Sequence, residues 1–231
     1  MSKIIEFDSE NEFINYRKTK ALKKVGEGSE GVCYLGKDGY VYKDLTDGFI
    51  PPELDVNKII TSDDVSVESF NFPNVLFAHN GCLIGHTSKF VSNDLFDDEM
   101  FYDYGIDHIN FDTLINAYYK MLNDAEILAD LNIKIFDLSY NVMFDGERLY
   151  GIDTDHYEKV DYPVLEHNKS CVNNALKDQF VMVAEYVFED DLVDLARSMN
   201  TVDFLNYIVK MYSENDLSSV DDNIIQYSKK K

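Results

Sequence analysis

Residues 134–155 constrain the fold more than any other stretch of this chain; their sequence is KIFDLSYNVMFDGERLYGIDTD. The dipeptide Asp145-Gly146 separates two runs of β-prone residues, and Asp-Gly between such runs is typical of a tight hairpin turn. We therefore predict one strand over residues 142–144 and a return strand over residues 149–152. A hairpin brings the residues that precede its first strand beside those that follow its second strand.

Three polar side chains are expected to converge at the open end of this hairpin, namely Asp137, Asn141 and Asp153. Their oxygens suit a magnesium-phosphate site, since a hard cation prefers oxygen ligands. An aspartate within reach of a hydroxyl is also the kind of group that accepts its proton. Ordinary turns favour Asp and Asn as well, so this stretch alone fits a plain hairpin equally well.

The charge balance limits the partners of the protein. The chain has 231 residues, of which 45% are hydrophobic, and a net charge of −22 from 43 acidic and 21 basic residues. Such a chain repels nucleic acid and anionic membranes at long range, so we expect neither as a partner. A ligand that carries phosphate must be held by local donors against this field.

The cysteines and the apolar runs bear on the compartment. Cys33, Cys82 and Cys171 are few and odd in number, which favours free thiols in a reducing compartment over a disulfide framework. No apolar run approaches the ~20 residues that span a membrane, and the N-terminus lacks a basic-then-apolar signal segment. We expect a cytoplasmic protein, with delivery by a specialised export system left open.

A glycine-rich stretch lies near the N-terminus, where Gly26, Gly28 and Gly31 form the pattern G-x-G-x-x-G. In a dinucleotide-binding unit the third glycine opens a helix. Here two β-prone runs follow instead, over residues 32–35 and 40–42, and no Gly-Lys-Ser/Thr of a Walker loop is present. The pattern therefore predicts a glycine-rich β-hairpin.

A lysine follows on the next strand, Lys43. In one interpretation the glycine backbone approaches phosphates closely and this lysine reaches the α- and β-phosphates. In the other, the glycines only allow strand twist and the lysine covers a sheet edge. A carboxylate partner for Lys43 is expected at Glu53 or Glu68; we favour Glu53, because it begins a predicted short helix over residues 54–60.

The remaining elements of the N-terminal half follow from local patterns. An S-x-x-E capping box from Ser9 to Glu12 predicts a short helix. Residues 75–91 predict a second hairpin around an Asn-Gly turn, which completes a small antiparallel sheet. Residues 92–110 are acidic and aromatic, and we predict a connector with a short helix there.

The C-terminal half is predicted to be mainly helical. Residues 111–131 show apolar positions at 3.6-residue spacing, the clearest helical pattern in the chain. Residues 176–198 and 202–213 are predicted as further helices, residues 156–175 as irregular, and the Lys229–Lys231 tail as disordered.

The order of these elements and motifs resembles the protein-kinase-like superfamily in a minimal bacterial form. The resemblance runs from about Lys23 to Asp155. Each motif is common by itself, but the ordered set, with each motif on the appropriate element, is specific. The residues that carry it are GEGSEG at Gly26–Gly31, Val41-Tyr42-Lys43, Ser88-Lys89-Phe90-Val91, Asp137-Leu138-Ser139-Tyr140-Asn141 and Ile152-Asp153.

The resemblance implies a role for each matching residue. Asp137 would be the catalytic aspartate, and Asn141 and Asp153 would hold the metal. The backbone around Lys89 and Val91 would bind adenine at the junction between the lobes. Gly26, Gly28, Gly31 and Lys43 would bind the phosphates, with Glu53 as the partner of the lysine.

The chain also departs from the family pattern. Asp137 and Asn141 are one residue closer than is usual in the family, and Ile135-Phe136 stand where His-Arg would precede the aspartate. Because that arginine normally binds a phosphorylated loop, we do not expect control by loop phosphorylation. Thr154-Asp155 replace Phe-Gly, and no Ala-Pro-Glu follows, so the platform for a protein substrate is reduced or absent.

The resemblance implies an α+β, two-lobed kinase-like fold with a small antiparallel β N-lobe and a mainly helical C-lobe. Residues 1–20 would be an N-terminal extension, residues 21–92 the N-lobe and residues 93–231 the C-lobe. The expected activity is that of an ATP- and Mg²⁺-dependent phosphotransferase, first an atypical serine/threonine protein kinase. Two alternatives stay open: a small-molecule kinase of the aminoglycoside or choline type, and a nucleotide-binding pseudokinase that acts as a scaffold.

Overall fold

The computed structural model describes residues 3–48, 53–97, 106–187 and 192–214. The protein is a mixed α+β structure with a six-stranded sheet, two small two-stranded sheets and, within these residues, five α-helices. No helix in these ranges is both long enough and apolar enough to cross a membrane.

The six-stranded sheet is antiparallel except at one edge. The strands are β1 Lys3–Glu6, β2 Ala21–Glu27, β3 Val32–Gly36, β4 Tyr40–Asp44, β5 Val75–His79 and β6 Cys82–Lys89. The order in the sheet is β1-β5-β6-β4-β3-β2, and β1 runs parallel to β5. The predicted hairpins β3–β4 and β5–β6 form its four central strands, and each turn contains a glycine with positive φ, Gly39 and Gly81.

Helix α1, Glu10–Lys20, covers one face of this sheet. Its predicted N-cap is present, because the Ser9 hydroxyl oxygen accepts from the Glu12 backbone N–H at 3.2 Å. Phe13 is completely buried against Phe77 of β5. The first twenty residues, predicted as an N-terminal extension, therefore contribute one strand to the sheet and a helix that packs on it.

The predicted hairpin around Asp145-Gly146 is confirmed as β8 Val142–Phe144 and β9 Leu149–Gly151, which pair antiparallel. Gly146 has φ +97°, the left-handed conformation that glycine adopts most easily. Two short strands flank this hairpin in sequence and pair with each other, β7 Ile133–Lys134 and β10 Glu158–Lys159.

Four helices pack against one another and, together with the hairpin, form the largest core. They are α2 Phe111–Asp130, α3 Leu165–Val187, α4 Leu192–Ser198 and α5 Thr201–Glu214. Leu114, Ala125 and Leu128 of α2 are fully buried, which confirms the periodic pattern. The core also includes Phe144 of the hairpin and Phe204 of α5.

Several sequence predictions need correction. The helix expected over residues 54–60 is a single 3₁₀ turn, Val56–Lys58. The segment expected to be irregular over residues 156–175 becomes helical at Leu165. The connector predicted over residues 92–110 is described only in part, because residues 98–105 lie outside the described residues, as does the predicted tail Lys229–Lys231.

Candidate functional site

A cavity of about 580 Å³ lies between the six-stranded sheet and the β8–β9 hairpin. This volume is in the range of small-molecule sites in proteins. Every predicted site residue except Glu53 lines it: Gly26, Gly28, Gly31, Lys43, Lys89, Val91, Asp137, Asn141 and Asp153. Residues far apart in sequence thus share one cavity.

The glycines of the β2–β3 loop differ in what surrounds them. A Cβ atom on Gly31 would lie 2.5 Å from the Asp44 carbonyl oxygen, so packing inside the protein requires this glycine. A Cβ atom on Gly28 would meet nothing within 4 Å. Gly28 lines the cavity, so its backbone is open to close approach by a ligand.

Lys43 is a buried cation between two carboxylates. Its Nζ contacts Asp153 Oδ1 and lies 3.1 and 3.3 Å from the two carboxylate oxygens of Asp155. The side chain of Asp155 is 0% exposed, whereas that of Asp153 is 36% exposed and faces the cavity. One positive charge therefore meets two negative ones.

The sequence prediction for the partner of Lys43, which favoured Glu53, is wrong: the lysine contacts Asp153 and Asp155. Glu53 is exposed and does not line the cavity. Glu68, the other candidate, forms an ion pair with Arg148 instead. The physical reason is the absence of the predicted helix: a single 3₁₀ turn does not project a carboxylate toward β4.

His86 lies beside this cluster. It is directly opposite Lys43 in the β4–β6 register, and its Nε2 is 3.5 Å from Asp155 Oδ2. The residue is buried, at 4% exposure, and neither ring nitrogen has a hydrogen-bond partner among the described residues. Buried polar atoms are seldom left unpaired, so this histidine calls for an explanation.

The electrostatics of the cluster follow from burial and charge. Burial and the negative charge of Asp155 raise the pKa of Asp153. Burial acts in the same direction on Asp155, but the neighbouring His86 and Lys43 outweigh it and lower the pKa of that carboxyl. Although burial opposes it, Asp155 and Asp153 raise the pKa of Lys43, which stays protonated.

The loop from Asp137 to Asn141 holds a strained conformation. Asp137 and Tyr140 have φ +43° and +66°, and Asp153 has φ +59°. Left-handed backbone at residues other than glycine costs free energy and persists where the surroundings enforce it. Such outliers cluster at functional sites, and here all three residues line the cavity.

Hydrogen bonds hold this loop in place. The Asn141 Nδ2 donates to the Asp137 carbonyl oxygen at 2.7 Å, and the Ile152 N–H donates to the Asn141 carbonyl oxygen at 2.9 Å. On the helical side, the Ser139 hydroxyl donates to Asp178 of α3 at 2.7 Å. The loop is thus fixed to both the hairpin and the helix behind it.

The buried Asn168 of α3 anchors the chain just before the loop. Its Oδ1 accepts from the Ile135 N–H at 3.0 Å, and its Nδ2 donates to the Ile133 carbonyl oxygen at 2.9 Å. One amide side chain thereby satisfies two backbone groups that are themselves fully buried.

Lys89 at the end of β6 and Val91 just after it line the cavity. Both backbone groups of Lys89 are engaged by the side chain of Asn71, at 3.2 Å for the N–H and 2.8 Å for the carbonyl oxygen. Two apolar residues also line the cavity, Val41 from the sheet and Met143 from the hairpin.

A polar bridge crosses the cavity near the glycine loop. His156 Nε2 lies 2.7 Å from Glu30 Oε2, and both residues are about one-third exposed. Glu30 belongs to the loop between β2 and β3, and His156 follows Asp153 in a 3₁₀ turn, Thr154–His156. The two sides of the cavity are therefore in direct contact.

The donor set near Asp153 fits a divalent cation that is also bound by a ligand. Asn141 and Asp153 supply oxygen atoms to the cavity, and two carboxylates around one lysine leave an excess of negative charge. Mg²⁺ is commonly bound by one or two carboxylates together with substrate phosphates. Within the described ranges, no group of three or more His, Cys, Asp or Glu side chains would hold a metal ion by itself.

Sequence reasoning missed four polar residues of this region: His86, Asn71, Asp94 and Asp155. Asp94 lines the cavity, and its Oδ1 accepts from the Phe96 and Phe144 N–H groups, each at 3.0 Å. The register of β6 against Lys43 would have identified His86. For Asn71 and Asp94 the sequence carries no comparable pattern.

Comparison with known proteins adds no assignment. No family model matches the chain, and no curated protein matches its sequence.

Proposed function

We propose that the protein is an ATP- and magnesium-dependent phosphotransferase whose acceptor is a serine or threonine hydroxyl of a protein. The observation that carries the proposal is the convergence on one cavity of the glycine loop, Lys43, Asp137, Asn141 and Asp153. Phosphoryl transfer depends mainly on positioning and charge stabilisation, and these residues supply both. In this proposal the six-stranded sheet is the small lobe and α2–α5 belong to the large one.

The nucleotide would lie along the cavity from the end of β6 to the glycine loop. Val41 and Met143 line the cavity and offer apolar surfaces for the base. The backbone groups of Lys89 are engaged by Asn71, so backbone hydrogen bonds to the base would come from Val91. The open space at Gly28 admits phosphate oxygens to the backbone. Lys43, protonated and held in place, would bind the α- and β-phosphates.

The metal would be held by Asn141 and Asp153. A bound magnesium ion supplies charge neutralisation for the phosphates. The Asp153 carboxylate would turn from Lys43 toward that charge, and its 36% exposure leaves it accessible for this. Asn141 would present Oδ1, because its Nδ2 is already engaged by the Asp137 carbonyl.

Asp137 would orient the acceptor hydroxyl and accept its proton. Its side chain is exposed at the cavity, and the neighbouring Tyr140 is 66% exposed. A hydroxyl on the surface of another protein can reach a carboxylate in such a position. This exposure favours a protein acceptor over a small molecule enclosed in a pocket.

The test combines nucleotide binding with transfer of labelled phosphate from ATP to a protein mixture. Mg-ATP at about 100 times its Kd should raise the free energy of unfolding by about 2.7 kcal/mol, which is about 5–10 °C in Tm for a chain of this size. Asp137→Ala should leave that shift intact and lower turnover by about 10²–10⁴-fold. Asp153→Ala should reduce the shift and turnover together.

The matched control is Glu147→Ala, an exposed carboxylate at the turn of the same hairpin; it should change neither quantity. Absence of a Tm shift at millimolar Mg-ATP would refute nucleotide binding. Full turnover in Asp137→Ala would refute its assignment as the base.

A second candidate is a nucleotide-binding scaffold without transfer. It is favoured by the contact between Asp153 and Lys43, which occupies the candidate metal ligand, and by the close spacing of Asp137 and Asn141. This candidate predicts a Tm shift with nucleotide but no labelled product with proteins, with small hydroxylated molecules or with water as acceptor.

A further inference from the structure

We propose that Asp155 and His86 are positioning residues for Lys43: Asp155 holds the lysine from the 3₁₀ turn that directly follows Asp153, and His86 packs against the Lys43–Asp155 pair from β6. The inference rests on the proposed function and extends it to residues that neither sequence pattern nor resemblance indicated.

Accessibility separates the two carboxylates that contact Lys43. The side chain of Asp153 is 36% exposed and lines the cavity, so a ligand or metal can reach it. The side chain of Asp155 is 0% exposed and is not among the cavity-lining residues. Asp155 therefore cannot touch a ligand in the cavity without rearrangement, and it acts on a ligand only through the lysine.

The geometry of Asp155 suits a holding role. Both of its oxygens lie near Lys43 Nζ, at 3.1 and 3.3 Å. When Asp153 turns toward a cation, Asp155 still retains the ammonium group. A buried charge that lost both partners would be strongly destabilised. Because Asp155 stays in place, Lys43 can remain charged while Asp153 moves.

His86 confines Asp155 from another side. Its Nε2 is 3.5 Å from Asp155 Oδ2, and its place opposite Lys43 in the sheet puts it against the same pair. The two ring nitrogens make no hydrogen bond within the described part of the chain. A role in packing against the Lys43–Asp155 pair accounts for a buried histidine in this position.

The 3₁₀ turn that carries Asp155 is anchored independently of Lys43. The Thr154 hydroxyl donates to the Asn71 carbonyl oxygen at 3.1 Å, and the Tyr157 N–H donates to the Thr154 carbonyl oxygen at 3.2 Å. Asp153 and Asp155 flank Thr154, so one anchored segment sets both the lysine and the candidate metal ligand. Lys43 is thus placed without the contribution of a separate helix.

The closing experiment measures the affinity of the whole protein for ADP and for adenosine in wild type, Asp155→Asn, Lys43→Met and the double variant. Because Asp155 acts through a lysine that binds phosphate, Asp155→Asn should weaken ADP binding by about 10- to 100-fold, the range for one charged hydrogen-bonded contact. Adenosine binding should change less than about threefold. The double variant should bind ADP no more weakly than Lys43→Met alone, since residues that act as a unit are not additive.

The matched control is Asp94→Asn, a cavity carboxylate that accepts hydrogen bonds from backbone N–H groups and does not contact Lys43. Its effect on ADP binding should add to that of Lys43→Met. If Asp155→Asn does not fold, the double variant should still fold, because it removes both members of the buried pair. His86→Ala then serves as the second probe and should weaken ADP more than adenosine.

Four results would overturn the inference. Equal losses for ADP and adenosine in Asp155→Asn mean a purely structural role. Additivity of Asp155→Asn with Lys43→Met means that Asp155 does not act through the lysine. If wild type binds neither ADP nor ATP, the proposed function fails with it, whereas normal binding in wild type and in Asp155→Asn refutes the positioning role alone.

Discussion

Replacement of Asn168 by alanine provides the sharpest test of how the site is supported. The residue is 0% exposed and lies on α3, away from the cavity. Its side chain accepts from the Ile135 N–H and donates to the Ile133 carbonyl oxygen, with a longer contact of 3.4 Å to the Ala125 carbonyl oxygen. The segment it holds leads directly into the loop that begins at Asp137.

The magnitude follows from the groups left without partners. Asn168→Ala leaves one buried N–H and one buried carbonyl unsatisfied, each at a cost of about 1–3 kcal/mol. Because the carbonyl has a second lone pair and some relaxation occurs, we expect the free energy of unfolding to fall by about 2–4 kcal/mol. For a chain of this length that corresponds to a decrease in Tm of about 4–16 °C.

Chemical denaturation followed by circular dichroism measures this difference directly. The matched control is Asn174→Ala on the same helix, whose side chain is exposed and makes one contact of 3.4 Å with Ser170; it should change the stability by less than about 0.5 kcal/mol. A loss in Asn168→Ala as small as that in the control would refute the role of this amide in holding the strand before the loop.

Two further predictions concern the sheet. Arg17 and Asp44 form a buried ion pair at 2.8 Å, so Arg17→Met should lower the free energy of unfolding by about 3–5 kcal/mol. The double variant Arg17→Met/Asp44→Asn should lose less stability than Arg17→Met alone, and an equal or greater loss would contradict the pairing. Burial raises the pKa of the Cys33 thiol to about 11. Its alkylation by iodoacetamide should therefore be slow at pH 8, and the rate should still rise from pH 9 to pH 10. Peptide mass spectrometry measures this rate, with the exposed Cys82 as the internal control. A rate for Cys33 that levels off below pH 9 would exclude the raised pKa.

Local patterns predicted the hairpins and the first long helix because their determinants are local. Asp145-Gly146 and Asn80-Gly81 permit positive φ at the turn, and Gly146 and Gly81 adopt it. The apolar stripe of α2 is regular because that helix packs one face into the core. These elements need no knowledge of distant parts of the chain.

The start of α3 was missed because its buried face is not uniformly apolar. Asn168 is buried near its beginning, where an apolar pattern would require a hydrophobic residue. A buried amide that satisfies backbone groups elsewhere is recognisable only once those groups are in place. The parallel pairing of β1 with β5 was missed for a similar reason, since it joins residues about seventy positions apart.

The candidate site was predicted in part. The motif residues around Asp137 and Asp153 lie at the cavity because the hairpin that joins them is local. The partner of Lys43 was not predicted: the observed partners, Asp153 and Asp155, follow the hairpin, whereas the preference for Glu53 over Glu68 depended on whether a helix forms after β4. Periodicity over so short a segment does not decide that question.

The strained residues of the site explain why it is supported so heavily from behind. Left-handed backbone at Asp137 and Asp153 costs on the order of 1 kcal/mol for each residue. The Ser139–Asp178 and Asn168 hydrogen bonds hold the adjoining segments and offset this cost. They come from a helix whose packing does not depend on the charges in the cavity. Exposed polar residues of the cavity can therefore be changed with small effects on folding, whereas changes behind them should reduce stability and displace the loop at the same time.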